Sequence, residues 1–558
     1  MGVNLSQIGK TSISSSQLEL ETDVLIIGGG PAGTWAAWSA ATQGVKVTLV
    51  DKGYCGSSGA TAAAGTSVWY LPPDPQQREA AIASREPIGG FLSDRSWMAR
   101  VLDQTYTNLN MLADWGYPFP VDDQGRPYRR SLQQGAEYMR LMRKKIRKAG
   151  VQILDHSPAL ELLVDAEGMV AGAAGICRQT GEHWRIRAGA IVIATGGCAF
   201  LSKALGCNVL TGDGYLMAAE AGAQMSGMEF SNAYAVSHAS SSVTKRGCFR
   251  WATFTYEDGT VIEGADAHKG YPVIARVLLT QPVYACLDKA TPQEQEMMRT
   301  VQHNFFLPFE RMGIDPFTQR FPVTLRLEGT VRGTGGIRII DDTCATSVPG
   351  LYAAGDAATR EFICGAFTGG GKYNAAWATS SGFWAGEAAA LFACKLGNKA
   401  NQRSVQGIGQ VVVRSHNSSD RNFAPMEIIR CVQAEVLPYD RNLFRTELGL
   451  LESLSRLHNL WKEIRNSKVA EASQIVQARE TAAMVATARW MYTSALARKE
   501  TRGLHQHLDY PQQDPNQRHH LLSGGLDQIW VKTEPVVSKT EITQSKVKNP
   551  KSKIGVAL

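Results

Sequence analysis

Apolar residues near the start of the chain fall into two short runs, Thr22–Ile27 and Val45–Val50, which read as strands. Between them Gly28 begins a turn, and Pro31–Thr42 carries the alanine-rich pattern of a helix. A β-α-β unit within thirty residues follows. A Pro-rich loop lies near Pro72-Pro73, and strand-like stretches over 150–195 end in the apolar run Ala190–Ala194. The texture changes over 226–340, where aromatics, arginines and short turns replace the β-α-β rhythm; this predicts an inserted domain. Strand character returns at Leu351–Ala354, followed by glycines at 369–371 that open a predicted helix Lys372–Glu387. Residues 401–424 are polar and read as a linker. From Met426 the pattern is helical, and Leu450, Leu454, Leu457, Trp461 and Ile464 recur at helical spacing, which predicts one buried stripe of packing residues.

Composition narrows the class. The chain has 558 residues, 44% apolar and 20% charged, with 54 glycines, enough for several cores and many tight turns. A net charge of +7 is mild at this length and argues against nucleic-acid binding. No apolar run has the length of a membrane span. The first twenty residues are polar and Ser-rich, unlike a secretory signal, so residues 1–21 are expected to be a flexible leader and the cytoplasm is the default compartment. Ten scattered cysteines, without a C-x-x-C pair, read as buried thiols rather than ligands of an iron–sulfur cluster or zinc. His519-His520 is too isolated to argue a metal. The last segment, 531–558, is lysine-rich and reads as a solvated, disordered basic tail.

The sharpest chemical signal is Gly28-Gly29-Gly30-Pro31-Ala32-Gly33, a G-x-G-x-x-G run between a strand and a helix. Gly28 permits the turn, Gly30 lets backbone approach a pyrophosphate, and Gly33 lets the helix pack against the sheet. The helix start offers unpaired N–H groups to phosphates. Asp51, ending the second strand ahead of Lys52, is placed to accept the adenosine ribose hydroxyls. Two later segments, Ala190–Gly197 with Thr195 and Gly196, and Val348–Asp356 ending in Gly355-Asp356, resemble the further cofactor contacts of two-dinucleotide-fold flavoproteins and favour FAD over NAD.

Several blocks, in order, resemble the flavoprotein superfamily of fumarate reductase, succinate dehydrogenase and L-aspartate oxidase. They are Ser57-Ser58-Gly59-Ala60-Thr61, Thr211-Gly212-Asp213-Gly214, Met228-Glu229-Phe230, Gly335-Gly336-Ile337 and Arg498-Lys499-Glu500-Thr501-Arg502-Gly503-Leu504-His505. The resemblance spans about 22 to 530. It implies an α/β fold: a Rossmann-type FAD-binding domain in two parts (22–225 and 341–400), an inserted α+β capping domain (226–340) and a C-terminal helical domain (425–530). It extends the expected FAD contacts to Lys52, Ser58, Gly59, Ala60, Thr61, Asp213, Gly370 and Gly371.

Departures from the family pattern carry equal weight. The stretch Ser57–Gly65 lacks the histidine that links flavin covalently, so non-covalent FAD is expected. Tyr234 and Val331 stand where the pattern has substrate histidines, and Cys364–Gly370 lacks the carboxylate-binding arginine. Neutral residues cannot replace a bidentate arginine clamp, so fumarate, succinate and aspartate are disfavoured. Gly365–Gly371 is more similar to the adenylylsulfate reductase α chain, which has an iron–sulfur partner. Catalytic side chains are expected from the cap: Arg332 first, beside the family's histidine position, then Arg250, Arg276 and Tyr234, with Trp251 as a wall. Each arginine also has a plain reading as a surface or ion-pair residue.

These observations imply an FAD-dependent oxidoreductase acting on a small, anionic substrate and exchanging electrons with a separate iron–sulfur, ferredoxin-like subunit; oligomerisation is compatible with such a chain. Two alternatives stand beside it: a stand-alone oxidase or dehydrogenase of the L-aspartate oxidase or fumarate reductase type, and a flavin relay or assembly protein without a substrate site of its own.

Overall fold

The structure is a computed structural model describing residues 17–536, apart from 122–123, 246, 268–269, 398, 414–423, 468 and 470–471. Its centre is a mixed sheet built around one long strand, His183–Ile193. The second half of that strand is flanked in parallel by Leu351–Ala353 and by the first strand, Gln17–Ile27. Beyond these lie Val47–Val50 and Gln152–Leu154, also parallel. Val24–Ile27, Val47–Val50, Ala190–Ile193 and Leu351–Ala353 are almost wholly apolar because both faces of a parallel sheet are covered. The first half of the long strand stays paired with the first strand and on its other edge carries an antiparallel meander, Val170–Ile176 and Ala159–Val164.

The first strand begins at Gln17, so the expected leader is too long by five residues. Residues 17–21 pair in register with His183–Arg187. Leu18 and Leu20 alternate there with Glu19 and Glu21, and Glu21 pairs with Arg187 directly opposite. Residues 1–16 lie outside the described residues. The expected linker is likewise part structured: Gln406–Gly407 adds an edge strand to the meander, and Arg403 reaches Asp165 at 3.1 Å.

On one face the helix Pro31–Thr42 lies against the long helix Gly370–Leu396. Their approach needs Gly382 and Gly386, where an added Cβ would stand 2.3 and 2.1 Å from the carbonyl oxygens of Ala32 and Ala36.

The cap holds a four-stranded antiparallel sheet in the order Ala233–His238, Phe321–Gly329, Val283–Cys286, Thr253–Thr255. Helices Tyr271–Leu278, Pro292–Val301 and His303–Met312 accompany it, and Phe249, Phe305, Phe309 and Phe321 pack together in its core.

The C-terminal part consists of helices Pro425–Val436, Glu447–Arg465 and Ile475–Ala497. All five stripe residues of the second helix are buried. The chain then forms a hairpin, His519–Gly524 with Trp530–Pro535, which joins Met225–Ser226 and Gly336–Ile337 in a further sheet. The expected tail therefore starts too early: Val531–Pro535 is strand, turned back by Gly525 at φ +83°. Residues 537–558 lie outside the described residues.

A buried ionic network ties these parts together. Arg498 meets Glu229 at 2.8 Å and Glu500 at 2.9 Å, and Arg502 meets Glu500 at 2.6 Å. Nearby, Glu361 accepts from Ser226 and sits 2.9 Å from His520 Nδ1, off the hydrogen-bond direction, a contact that is an ion pair when the imidazole is protonated. No helix among the described residues is long and apolar enough to cross a membrane.

Candidate active site

A cleft of about 1260 Å³, partly open to solvent, runs along the C-terminal ends of the parallel strands, where Ile27, Val50 and Ala194 line it. That is the position at which open α/β sheets bind ligands. Gly28 makes the turn at φ +108°, and a Cβ there would stand 2.4 Å from Ala194 O. Gly30 is different: its Cβ position has nothing within 4 Å and lies in the cleft wall. Gly33 is not on the wall; its Cβ would collide with Gly28 O at 1.8 Å, so this glycine sets the seating of helix Pro31–Thr42. The helix has no side-chain cap and no acidic residue in its first turn, leaving its N–H groups and positive dipole end free for an anion.

The acidic residue of the second strand also braces the loop. Asp51 Oδ2 accepts from Gly29 N–H at 2.6 Å and Oδ1 from Gly53 N–H at 2.7 Å, while the residue lines the cleft. Lys52 donates to Asp213 at 2.7 Å, Glu480 at 2.9 Å and Thr211 at 3.0 Å. Burial works against its charge, but Asp213 and Glu480 outweigh it and hold the ammonium above its ordinary pKa. Pro31, Ala32, Ser58, Gly59, Ala60 and Thr61 continue the wall on this side. Thr195 and Gly196 form the floor with Asp213, and Gly355 and Asp356 close the far side.

Towards the cap the wall is made by Gly65, Thr66, Val331, Arg332, Gly371 and Asn374. Gly371 lies in the first turn of the long helix; Gly370, its first residue, is off the wall at φ +57° and donates its N–H to Thr368 Oγ1. Arg332 pairs through Nε with Glu328 at 3.7 Å and turns its Nη1 towards Gly371. Asp356 takes a 2.6 Å bond from the fully buried Arg360, which also donates to the carbonyls of Thr330 and Gly333 and so fixes the loop that carries Arg332. Burial pushes the Asp356 carboxyl up, and Arg360 and Arg332 draw it back.

Three of the four expected catalytic side chains are not brought to this cleft. The Tyr234 hydroxyl is buried against the carbonyls of Val436 and Leu437, at 3.2 and 3.1 Å, because its strand backs onto the C-terminal helices. Arg276 lies over the Phe444 ring at 4.5 Å, and Arg250 is exposed and stacks on Trp251 at 3.7 Å. Only Arg332 lines it.

Several important residues had no signal strong enough to single them out. Arg360 follows Asp356 by four residues, a pairing that could have been found. Arg85 ends its helix and reads as a surface charge, yet it is buried and donates to the carbonyls of Cys364, Phe367 and Thr368. Asn374 donates to Val331 O at 2.8 Å. Lys245, in a polar turn of the cap, donates to Ala64 O across the domain boundary, and burial brings its pKa down to about 8.

Comparison with known families decides what this cleft belongs to. Residues 23–240 match the FAD binding domain model, and residues 434–552 match the fumarate reductase flavoprotein C-terminal model. The chain belongs to the fumarate reductase/succinate dehydrogenase flavoprotein family. It is an FAD-dependent oxidoreductase of that family. A chain of the CoM/CoB fumarate reductase of Methanothermobacter marburgensis is 25% identical, over 90% of this chain and 97% of that protein. An L-aspartate oxidase of Streptomyces coelicolor is 24% identical over 89% of this chain and 90% of its own length. Among solved structures, a quinol fumarate reductase chain from E. coli has a TM-score of 0.78 at 21% identity, covering 94% of this chain and 99% of that one. Adenylylsulfate reductase of Archaeoglobus fulgidus has a TM-score of 0.76 at 18% identity, covering 95% and 98%. The expected α/β fold, with its cap and helical C-terminal part, is the fold of these flavoproteins.

The residues fit FAD. The open space above Gly30, the uncapped helix start and the braced Asp51 suit the adenosine diphosphate half. Thr195 Oγ1 and Asn374 Oδ1, both buried at the wall, have no protein partner among the described residues.

Proposed function

We propose that this flavoprotein holds FAD non-covalently, acts on a small anionic substrate, and exchanges electrons with an iron–sulfur, ferredoxin-like protein. The observation that carries the reading is the make-up of the cleft: a dinucleotide cradle on one side and a single arginine, Arg332, on the cap side, with neutral Val331 and the Cys364–Gly370 stretch where a dicarboxylate clamp would be needed.

Bound FAD would supply the two-electron redox chemistry. The chain's own residues do the rest. Gly30 and the start of Pro31–Thr42 receive the pyrophosphate, and Asp51 the ribose hydroxyls. Ser58 to Thr61, Thr195, Gly196, Asp213, Gly355 and Asp356, which line the cleft, would hold the rest of the cofactor. Gly371 and the positive end of its helix, together with Arg332, favour negative charge on the cap side. No histidine in Ser57–Gly65 is available to form a flavin bond. The reducing cytoplasm is the matching compartment, since all ten cysteines are unpaired.

The deciding experiment is acid or heat precipitation of the purified yellow protein. Free FAD in the supernatant is the expected result; flavin retained on the pelleted chain overturns the non-covalent reading. Anaerobic reduction followed by exposure to air tests electron exchange: slow reoxidation, accelerated by added ferredoxin, is expected, and fast reaction with oxygen alone favours a stand-alone oxidase.

A further inference from the structure

The cap and the cofactor-binding part meet at a small group of charges that cofactor binding uses only in part. Arg332 lines the cleft, and the side of its guanidinium facing Gly371 carries no carboxylate. Lys245 approaches from the cap: its ammonium donates to the carbonyl of Ala64, the residue before Gly65, which lines the cleft, and its charge is felt at Arg332. One carboxylate faces both cations. Glu328, itself buried, pairs with Arg332 at 3.7 Å and accepts from Thr244 at 2.7 Å.

The other titratable groups facing this cluster add no charge. The Cys207 and Cys248 thiols are pushed up by burial and stay protonated at neutral pH. Asp356 is matched by Arg360 at 2.6 Å. Arg250 faces Cys248 from the exposed side of the cap. Two cations against one carboxylate leave a single positive charge at the cap side of the cleft. A buried charge without a partner is costly, so this surplus calls for one negative charge from outside the chain.

We infer that Lys245 and Arg332 together bind the anionic group of a singly charged substrate, a monocarboxylate, at the boundary between cap and cofactor. This rests on the proposed flavin reading and deepens it. Arg332 offers the planar fork for the carboxylate, and Lys245 supplies a point charge, held at the boundary by its bond to Ala64 O. A dicarboxylate would need a second cation: Val331 offers none, and Arg85, behind Cys364, already gives its Nη2 to the carbonyls of Cys364, Phe367 and Thr368.

Crotonate and fumarate share a four-carbon unsaturated skeleton and differ by one carboxylate, which makes them the probes. The oxidised, FAD-loaded protein is titrated with each, and the perturbation of the flavin absorption band is read. Crotonate is expected to bind saturably, at least about tenfold more tightly than fumarate, a difference of about 1.4 kcal/mol. K245M and R332Q should each weaken crotonate about tenfold or more, with K245R close to the parent protein. Affinity for crotonate should fall between pH 7 and pH 9 as the Lys245 ammonium loses its proton, and K245R should abolish that fall. Full FAD content with no response to crotonate, equal affinity for fumarate, or an unchanged pH profile in K245R overturns the inference and leaves the flavin reading intact. Protein that binds no FAD at all overturns the flavin reading instead. Thermal melts of each variant identify any that fail to fold, and the K245R pH profile, which keeps the positive charge, then decides.

Discussion

Two glycines of one motif make different predictions. A Cβ on Gly30 enters open cleft, so Gly30→Val should fold normally and lose FAD. A Cβ on Gly33 meets the Gly28 carbonyl at 1.8 Å, so Gly33→Val should unseat the helix and lower stability by several kcal/mol, with FAD lost as a consequence. Flavin content and thermal melts of the two variants separate these outcomes; equal melting temperatures would contradict the assignment. The motif was legible because each glycine answers to backbone a few residues away. Asp51 was legible as a ribose acceptor but not as the brace of Gly29 and Gly53, which depends on the folded loop. Tyr234, Arg250 and Arg276 show the limit. Residue type and neighbourhood in the chain made them candidates, while Tyr234 and Arg276 are aimed at Val436 and Phe444, far along the chain, and Arg250 stacks outward on its own neighbour Trp251.

Whole elements were more readable than their ends. The helix Pro31–Thr42 and the buried stripe of Glu447–Arg465 follow directly from periodicity. Leu457, fully buried on that stripe, should cost about 2–5 kcal/mol when cut to alanine, whereas Leu451 on the exposed side should cost less than about 0.5 kcal/mol. Urea melts of L457A and L451A compare the two directly, and similar midpoints would refute the assigned face. The ends missed at Gln17 and Pro535 share one cause. Both are strand segments with charges alternating along them, and alternation of that kind reads as polar chain until a partner strand supplies the other half of the pattern.

At the scale of the molecule, contacts distant in sequence hold the parts in place. Burial opposes a charge on His520, but Glu361 outweighs it and raises the imidazole above its ordinary pKa. The folded protein therefore holds that proton more tightly than the unfolded chain. The pair's contribution is complete below the ordinary histidine pKa of 6.5 and is lost as pH rises through the raised value. The stability gap between the parent protein and H520Q should accordingly be wide at pH 6 and narrow at pH 9 in urea melts; a gap that widens with pH would refute it. A second expectation concerns association. The lysines after Val531 should steer an acidic iron–sulfur partner, so iron recovered in a pull-down from the native source should fall as salt rises; salt-independent recovery would exclude the tail.

The divided cofactor cradle also imposes an order on biosynthesis. Gly28 and Asp51 leave the ribosome early, but Gly355, Gly371 and Ala378, which complete the same wall, follow only after the entire cap. About 330 residues separate Asp51 from Ala378, roughly 15–65 s of elongation at 5–20 residues per second. Through most of that interval the nascent chain holds the nucleotide turn with half of its pocket still unmade, so FAD should be acquired late in synthesis or after release.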